Sequence, residues 1–223
     1  MSKISLKHSG GNVVSLNSPT NAPGSADVAF KLPNADGSAG QFMKTDGSGN
    51  LSFDTAGGGK VLNSAEALKK DTFSTQSESF VDITDLTVTM TPASSSSKFL
   101  INYHVCFSPR DYHYSGAIRI VKVVGGTTTD DIYVGNASGN RIRCSNFAFS
   151  NNDQHSYPSL QTQSGSFLHS PNETNPVTFK LQTRLLGTYG YANDVYVNRT
   201  STYADTTFFG SPVSSITVLE LSS

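Results

Sequence analysis

The chain has 223 residues, of which 36% are hydrophobic and 15% are charged, and its formal net charge is −1. This length suits one large β domain or two small ones. The charged fraction lies well below the usual quarter or so of soluble domains, and Ser, Thr, Asn and Gly make up the difference. A net charge near zero without a basic cluster argues against nucleic-acid binding. No stretch approaches the roughly 20 apolar residues of a membrane span, so we expect no membrane insertion.

Residues 1–58 consist of short apolar pieces separated by Gly, Pro, Asn and Ser. Each piece has the length of a strand, and none has helical periodicity. The stretch GQFMKTDGSGNLSF predicts a β-hairpin that turns at Gly47–Gly49, because Gly beside Asp or Asn favours tight turns. The opening residues lack the apolar run of a signal peptide, so we expect synthesis in a cytoplasm without export by the Sec route.

The amino-terminal segment has too few apolar side chains to build a core by itself. We therefore expect it to gain burial by association, with three interleaved copies or with another protein. Its apolar side chains are then the candidates for attachment: Leu6, Val14, Phe30, Leu32, Phe42 and Phe53.

Residues 59–72 are predicted to be a linker with a short helix. Asn63 to Lys70 could make two helical turns, with Asn63 as N-cap and Glu66 three residues later as in a capping box. A helix this short needs tertiary support.

Residues 73–223 are predicted to be strands throughout. Apolar residues alternate with polar ones from Phe99 to Phe107 and from Val177 to Thr183, and the final SSITVLEL suits a central strand. Many short strands with turn signals between them predict an antiparallel β-sandwich or barrel. The predicted fold class is therefore all-β, with a hairpin or meander segment followed by a sandwich.

No arrangement of residues that would support catalysis or metal binding is evident in the sequence. There is no G-x-S-x-G, H-E-x-x-H or C-x-x-C motif, and the five histidines are far apart. We therefore expect no enzymatic activity, no cofactor and no metal. Cys106 is interpreted as a buried free thiol, and a bridge to Cys144 is disfavoured because a cytoplasm keeps thiols reduced.

Three loops in the second half of the chain combine aromatic residues with Ser, Gly and Asn, a composition suited to binding surfaces. They contain the candidate receptor-binding residues Tyr112, His113, Tyr114, Tyr189, Tyr191 and Tyr203. The alternative is that these aromatic side chains fill the ends of the sandwich or a subunit interface. The sequence leaves both interpretations open.

Two groups of motifs resemble known proteins. LKHSGGN, VAFKLPNADGSAGQ and TDGSGNLSF resemble the amino-terminal segment of tail-fibre and other structural proteins of tailed phages, especially phages of cyanobacteria. SKFLINYHV, FLHSPNETNPVTFKLQTR, YVNRT and SSITVLEL are similar in pattern to the trimeric jelly rolls of the tumour-necrosis-factor and complement-C1q kind.

The resemblance implies a homotrimeric, non-enzymatic virion protein with a jelly-roll domain. Its amino-terminal segment would bind other virion proteins, and its carboxy-terminal domain would face outward. The first hypothesis is a tail-fibre or tail-tip adhesin that binds a glycan or protein of the host surface. The alternatives are a capsid decoration or head-fibre protein and, third, a polysaccharide depolymerase.

Overall fold

The structure is a computed structural model. It describes residues 3–7, 9–11, 13–17, 29–55, 61–109, 115–129, 131–149, 160–186, 194–202, 204–207 and 209–222. Within these residues the regular structure is entirely β, which confirms the predicted fold class. The chain divides into two compact units, Met1–Gly58 and Gly59–Ser223.

The described residues form fifteen strands. The first unit contains β1 (Lys3–Lys7), β2 (Val13–Asn17), β3 (Gln41–Thr45) and β4 (Leu51–Thr55). The second contains β5 (Val61–Lys69), β6 (Phe73–Thr75), β7 (Val81–Met90), β8 (Lys98–Pro109), β9 (Ser115–Val124), β10 (Thr127–Thr129), β11 (Asn146–Phe149), β12 (Gln161–His169), β13 (Val177–Leu186), β14 (Val195–Val197) and β15 (Ser214–Leu221).

The amino-terminal unit contains two antiparallel hairpins, β1–β2 and β3–β4. The second is the hairpin that the glycines predicted, and Gly47 and Gly49 have positive φ angles of 82° and 88°. Asp46 organises this turn, because its Oδ1 accepts hydrogen bonds from the backbone N–H groups of Ser48 (2.7 Å) and Asn50 (3.1 Å). The bond from the Asn50 side chain, together with these, lowers the pKa of Asp46.

The carboxy-terminal unit is an antiparallel sandwich of two sheets. The six-stranded sheet has the order β5-β15-β8-β14-β6, with β12 also paired to β8. The five-stranded sheet has the order β10-β9-β13-β7, with β11 also paired to β9. The chain passes repeatedly from one sheet to the other, which gives a jelly-roll-like arrangement, as the resemblance implied.

The core lies between the two sheets and takes one face of each long strand. From β8 it receives Phe99, Ile101, Tyr103, Val105 and Phe107, all at most 3% exposed. From β13 it receives Val177, Phe179, Leu181 and Thr183, all fully buried. These are the alternating positions that the sequence identified. The strand β15 lies between β5 and β8, so the predicted central position of the last strand is confirmed.

The predicted helix at Asn63–Lys70 is wrong. All of these residues except Lys70 belong to β5, which pairs with β15 from Val61 to Lys69. Ala65 and Ala67 pack against the core, while the alternate residues Glu66 and Leu68 are exposed. A two-turn helix gains little by itself, whereas pairing beside the apolar strand β15 provides backbone hydrogen bonds along one side of β5 and a core contact for its alanines.

The break in alternation between Ile83 and Leu86 corresponds to a bulge in β7. The register with β13 shifts between Lys180 and Gln182, and Asp85 has a positive φ of 66°. The bulge lets both Ile83 and Leu86 reach the core. It also brings Thr84 Oγ1 to 2.8 Å from the ammonium group of Lys69, whose side chain is fully buried.

Candidate functional site

The outer face of the six-stranded sheet contains a row of three leucines. The strand register places Leu168 of β12 beside Leu100 of β8, and Leu100 beside Leu219 of β15. Directly opposed residues of neighbouring strands point to the same face. Leu168 is 60% exposed, and Leu100 and Leu219 are half-buried. The row is therefore an apolar strip, three strands wide, on a surface that faces away from the core.

The next two rows of this face consist mostly of small uncharged side chains. The first row is Ser166, Asn102, Thr217 and Glu66, and the second is Ser164, His104, Ser215 and Leu68. His104 lies half-exposed on this outer face. Its Nε2 is 3.0 Å from the carbonyl oxygen of Val213, and its Nδ1 is 3.1 Å from Ser215 Oγ.

Across the three rows from Leu100 to His104, all of which the structure describes, Glu66 is the one carboxylate and no Lys or Arg is present. Thr217 Oγ1 donates a hydrogen bond to Glu66 Oε1 (3.3 Å). Glu66 lies on the outermost strand, β5, so the positions of these rows on β12, β8 and β15 carry no carboxylate, lysine or arginine. We refer to the three rows as the uncharged face.

The outer face of the five-stranded sheet is different in character. Lys180 Nζ and Gln182 Nε2 both donate to the carboxylate of Asp82, each at 2.7 Å. Burial disfavours ionisation of Asp82, but these two bonds outweigh it and lower its pKa. Arg119 Nε donates to Gln182 Oε1 (2.9 Å), and its guanidinium lies 4.1 Å from the ring centre of Phe80. Around Asp82, this face therefore pairs its charges internally and suits contact with water.

The two outer faces of the sandwich differ in the charge of their side chains. Interface centres are depleted in charged residues, whereas solvated surfaces of soluble proteins are rich in them. The uncharged face combines an apolar strip with short side chains that leave a flat sheet. Such a surface can pack closely against a second protein without burying unpaired charges.

The amino-terminal attachment candidates that the structure describes differ in their exposure to solvent. Phe30 is 60%, Leu32 is 75% and Phe42 is 46% exposed. Phe53 is half-buried against Gly37, where a Cβ atom would come within 2.7 Å of its ring. The backbones of Leu6 and Val14 are paired across β1 and β2, and their side chains lie outside the described residues. Large apolar side chains with this exposure are suited to contact with another protein.

The six receptor-binding candidates, from Tyr112 to Tyr203, lie outside the described residues. The chain positions next to two of their loops are described. Ser115 pairs with Leu186 across β9 and β13, and with Phe149 across β9 and β11. The described residues that border segments 110–114, 150–159 and 187–193 on one side, Ser115, Phe149 and Leu186, therefore lie side by side at one end of the five-stranded sheet.

Both cysteines are free, and burial raises the pKa of each thiol. Cys106 is a free thiol, as predicted, but it is half-buried and not buried, and it points to the outer face of β8. The alternation of β8 gives the reason, since Val105 and Phe107 on either side occupy the core. Within the described ranges, no three His, Cys, Asp or Glu residues cluster in a way that could hold a metal ion. No helix in the described part of the chain has the length and apolar character to cross a bilayer.

The sequence interpretation did not identify the uncharged face. Its signal was present, because Leu100, Asn102, His104 and Cys106 are the positions of β8 that alternate with the core residues. Their alignment with β12 and β15 depends on strand pairings between segments more than 50 residues apart.

No protein-family model and no curated protein sequence matches the chain. Among solved structures, the insecticidal delta-endotoxin Cry8Ea1 of Bacillus thuringiensis is 16% identical with a TM-score of 0.32, over 68% of this chain and 20% of the toxin chain. The structure of the Gx strain of infectious bursal disease virus is 12% identical with a TM-score of 0.34, over 94% of this chain and 42% of the viral chain.

The VP2 subviral particle of infectious bursal disease virus is 14% identical with a TM-score of 0.31, over 95% of this chain and 45% of that chain. The present chain thus spans about a fifth of the toxin chain and less than half of either viral chain. At these TM-scores the likenesses assign neither a fold nor a function to it.

Proposed function

We propose that this chain is a non-enzymatic structural protein of a tailed-phage virion, and that it assembles as a homotrimeric tail-fibre or tail-tip adhesin. The observation that carries the proposal is the uncharged face of the six-stranded sheet. Three copies that pack these faces around a common axis would bury the strip of Leu168, Leu100 and Leu219. The resemblance of the amino-terminal motifs to phage structural proteins supports the same assignment.

The amino-terminal unit supplies the attachment to other virion proteins in this proposal. Phe30, Leu32 and Phe42 are exposed on a unit whose described regular structure is two hairpins. Isolated two-stranded hairpins are marginally stable in water, so burial of these side chains against a partner would stabilise the unit. The partner is a second copy of the chain or a neighbouring protein of the particle.

Adhesion in this proposal depends on the loops that contain the receptor-binding candidates, two of which adjoin Ser115 and Leu186 at one end of the five-stranded sheet. In a trimer this end would be present in three copies on one particle element. Three weak contacts to one surface gain strength through effective concentration, without requiring a deep site in each copy. The receptor in this proposal is a glycan or a protein of the host surface.

The molar mass of the purified full-length protein, measured by light scattering after size exclusion, tests the assembly. A mass of three chains that persists on dilution to nanomolar concentration supports the proposal. A monomer at all concentrations contradicts it, because the uncharged face would then be exposed to water.

Competition for adsorption tests the adhesin role. The purified trimer should reduce adsorption of the corresponding phage to its host cells in a saturable manner, and heat-unfolded protein serves as the control. A trimer that leaves adsorption unchanged would contradict the adhesin role and favour a decoration or head-fibre protein.

A further inference from the structure

A pocket of about 390 Å³ opens on the outer face of the five-stranded sheet, at the end where Ser115, Phe149 and Leu186 lie side by side. Its lining residues are Arg141, Ile142, Cys144, Phe147, Arg184 and Leu186. The volume lies within the range of about 300–1,000 Å³ that is usual for ligand sites. The pocket lies on the opposite sheet from the uncharged face, so it remains available whether or not the chain forms a trimer through that face.

The strand register explains why a depression forms at this position. Phe147 of β11 and Arg184 of β13 both pair with Ala117 of β9, so the three side chains share one row and one face. Two strand spacings of about 4.8 Å separate the outer two residues by about 10 Å. The residue between them is Ala117, whose side chain is only a methyl group. The row therefore leaves a gap between the ring of Phe147 and the guanidinium of Arg184.

Both arginines of the pocket are oriented by contacts outside it. Arg184 Nε donates to the carbonyl oxygen of Leu185 (3.1 Å), and its guanidinium lies 5.7 Å from the ring centre of Phe80. Arg141 donates to Ser138 Oγ (2.9 Å). An arginine has five N–H donors, and each of these described contacts uses one of them. Further donors on both side chains are therefore available to a ligand.

The chemistry of the lining defines the ligand class. Phe147, Ile142 and Leu186 form apolar walls, and Phe147 is 60% exposed. None of the six described lining residues is acidic, so the two guanidinium charges have no counter-charge within the lining. We propose that this pocket binds a compact cyclic or aromatic carboxylate, with its carboxylate on Arg141 and Arg184 and its ring against Phe147. Arginine favours carboxylates because it presents two parallel donors.

Calorimetric titration with 1-naphthoate and with its neutral isostere 1-naphthamide tests the proposal. The two probes have the same ring system and differ in charge. We expect 1-naphthoate to bind about tenfold or more tightly than 1-naphthamide, because the charge-assisted bonds are lost in the amide. Arg184→Gln and Arg141→Gln should each lower the affinity for 1-naphthoate by about tenfold. The affinity for 1-naphthamide should change by no more than about threefold.

Arg143→Gln is the matched control. Arg143 is exposed, lies between two lining residues in sequence, and donates its Nε to the carbonyl oxygen of Gly135 (2.8 Å), but it does not line the pocket. Its substitution should leave the affinity for both probes unchanged. Phe147→Ala should weaken both probes, because it removes the ring contact and not the charge.

Two results would overturn the proposal. One is equal affinity for the carboxylate and the amide, which would indicate an apolar pocket with no selectivity for anions. The other is an equal loss of 1-naphthoate binding in Arg143→Gln and Arg184→Gln, which would indicate general electrostatic attraction. The molar mass of each variant, measured in the same samples, shows separately whether assembly through the uncharged face is retained.

Discussion

A carboxylate placed at the centre of the uncharged face should dissociate the proposed trimer in a pH-dependent manner. Asn102 occupies this position. It lies between Ser166 and Thr217 in the middle row, and Thr217 separates it from Glu66. Asn102→Asp changes one atom of the side chain and introduces one charge. Because Asn102 points away from the core, we expect the fold of the single chain to be retained, as judged by circular dichroism.

The free-energy cost of burying this carboxylate in the assembly cannot exceed the cost of protonating it. A buried carboxyl can take up a proton, at a cost of about 1.36 kcal/mol for each pH unit above a pKa of about 3.9. At pH 7 the bound is about 4 kcal/mol per copy, and about 12 kcal/mol for three copies. Each 1.4 kcal/mol corresponds to about a tenfold change in the association constant. A penalty near this bound would convert a nanomolar trimer into a monomer at neutral pH.

The sign of the pH dependence distinguishes this mechanism from a packing defect. The pKa of the new carboxyl is higher in the assembly than in the free chain, so assembly should recover as the pH falls from 8 towards 5. Light scattering at fixed protein concentration across this range measures the recovery. Thr87→Asp is the control, because Thr87 is exposed on the opposite sheet and pairs with Lys180. Wild-type mass for Asn102→Asp at nanomolar concentration and pH 8 would refute the assignment of this face as an interface.

Three further predictions test the sandwich itself. Lys69→Ala should destabilise the fold by about 2–4 kcal/mol in denaturant unfolding, because it removes a fully buried side chain, and Lys69→Met should restore part of the loss by refilling the volume. Gly116→Ala should lower the free energy of unfolding by about 1–3 kcal/mol, because the new Cβ would lie 2.5 Å from Phe107. Gly135→Ala is the control and should be close to neutral, because its Cβ would meet no atom within 4 Å. Equal effects of the two substitutions would contradict the packing argument. Burial, aided by Lys122, lowers the pKa of His169, so its contribution to stability is present above a pH of about 6.5 and is lost as the pH falls below it. Thermal melts from pH 8 to 5 should show a smaller pH dependence for His169→Gln than for the wild type, and identical profiles would exclude this histidine as the cause.

The sequence by itself determined the all-β class, the core positions and the hairpin at Gly47–Gly49. The physical reason is that these features are local. Alternation at Phe99 to Phe107 reflects one buried face of a strand, and a positive φ at a tight turn selects glycine. Neither depends on which segment lies alongside, so each can be identified within a window of about ten residues.

The tertiary structure decided the features that depend on neighbours. The segment from Asn63 to Lys69 has helix-forming residues, yet it is a strand because β15 offers a pairing edge and a core contact for Ala65 and Ala67. The uncharged face exists because Leu168, Leu100 and Leu219 come into register from three distant segments. The arginine pocket likewise requires Phe147 and Arg184 to flank Ala117. Long-range pairing sets these juxtapositions, and no local pattern of the sequence encodes them.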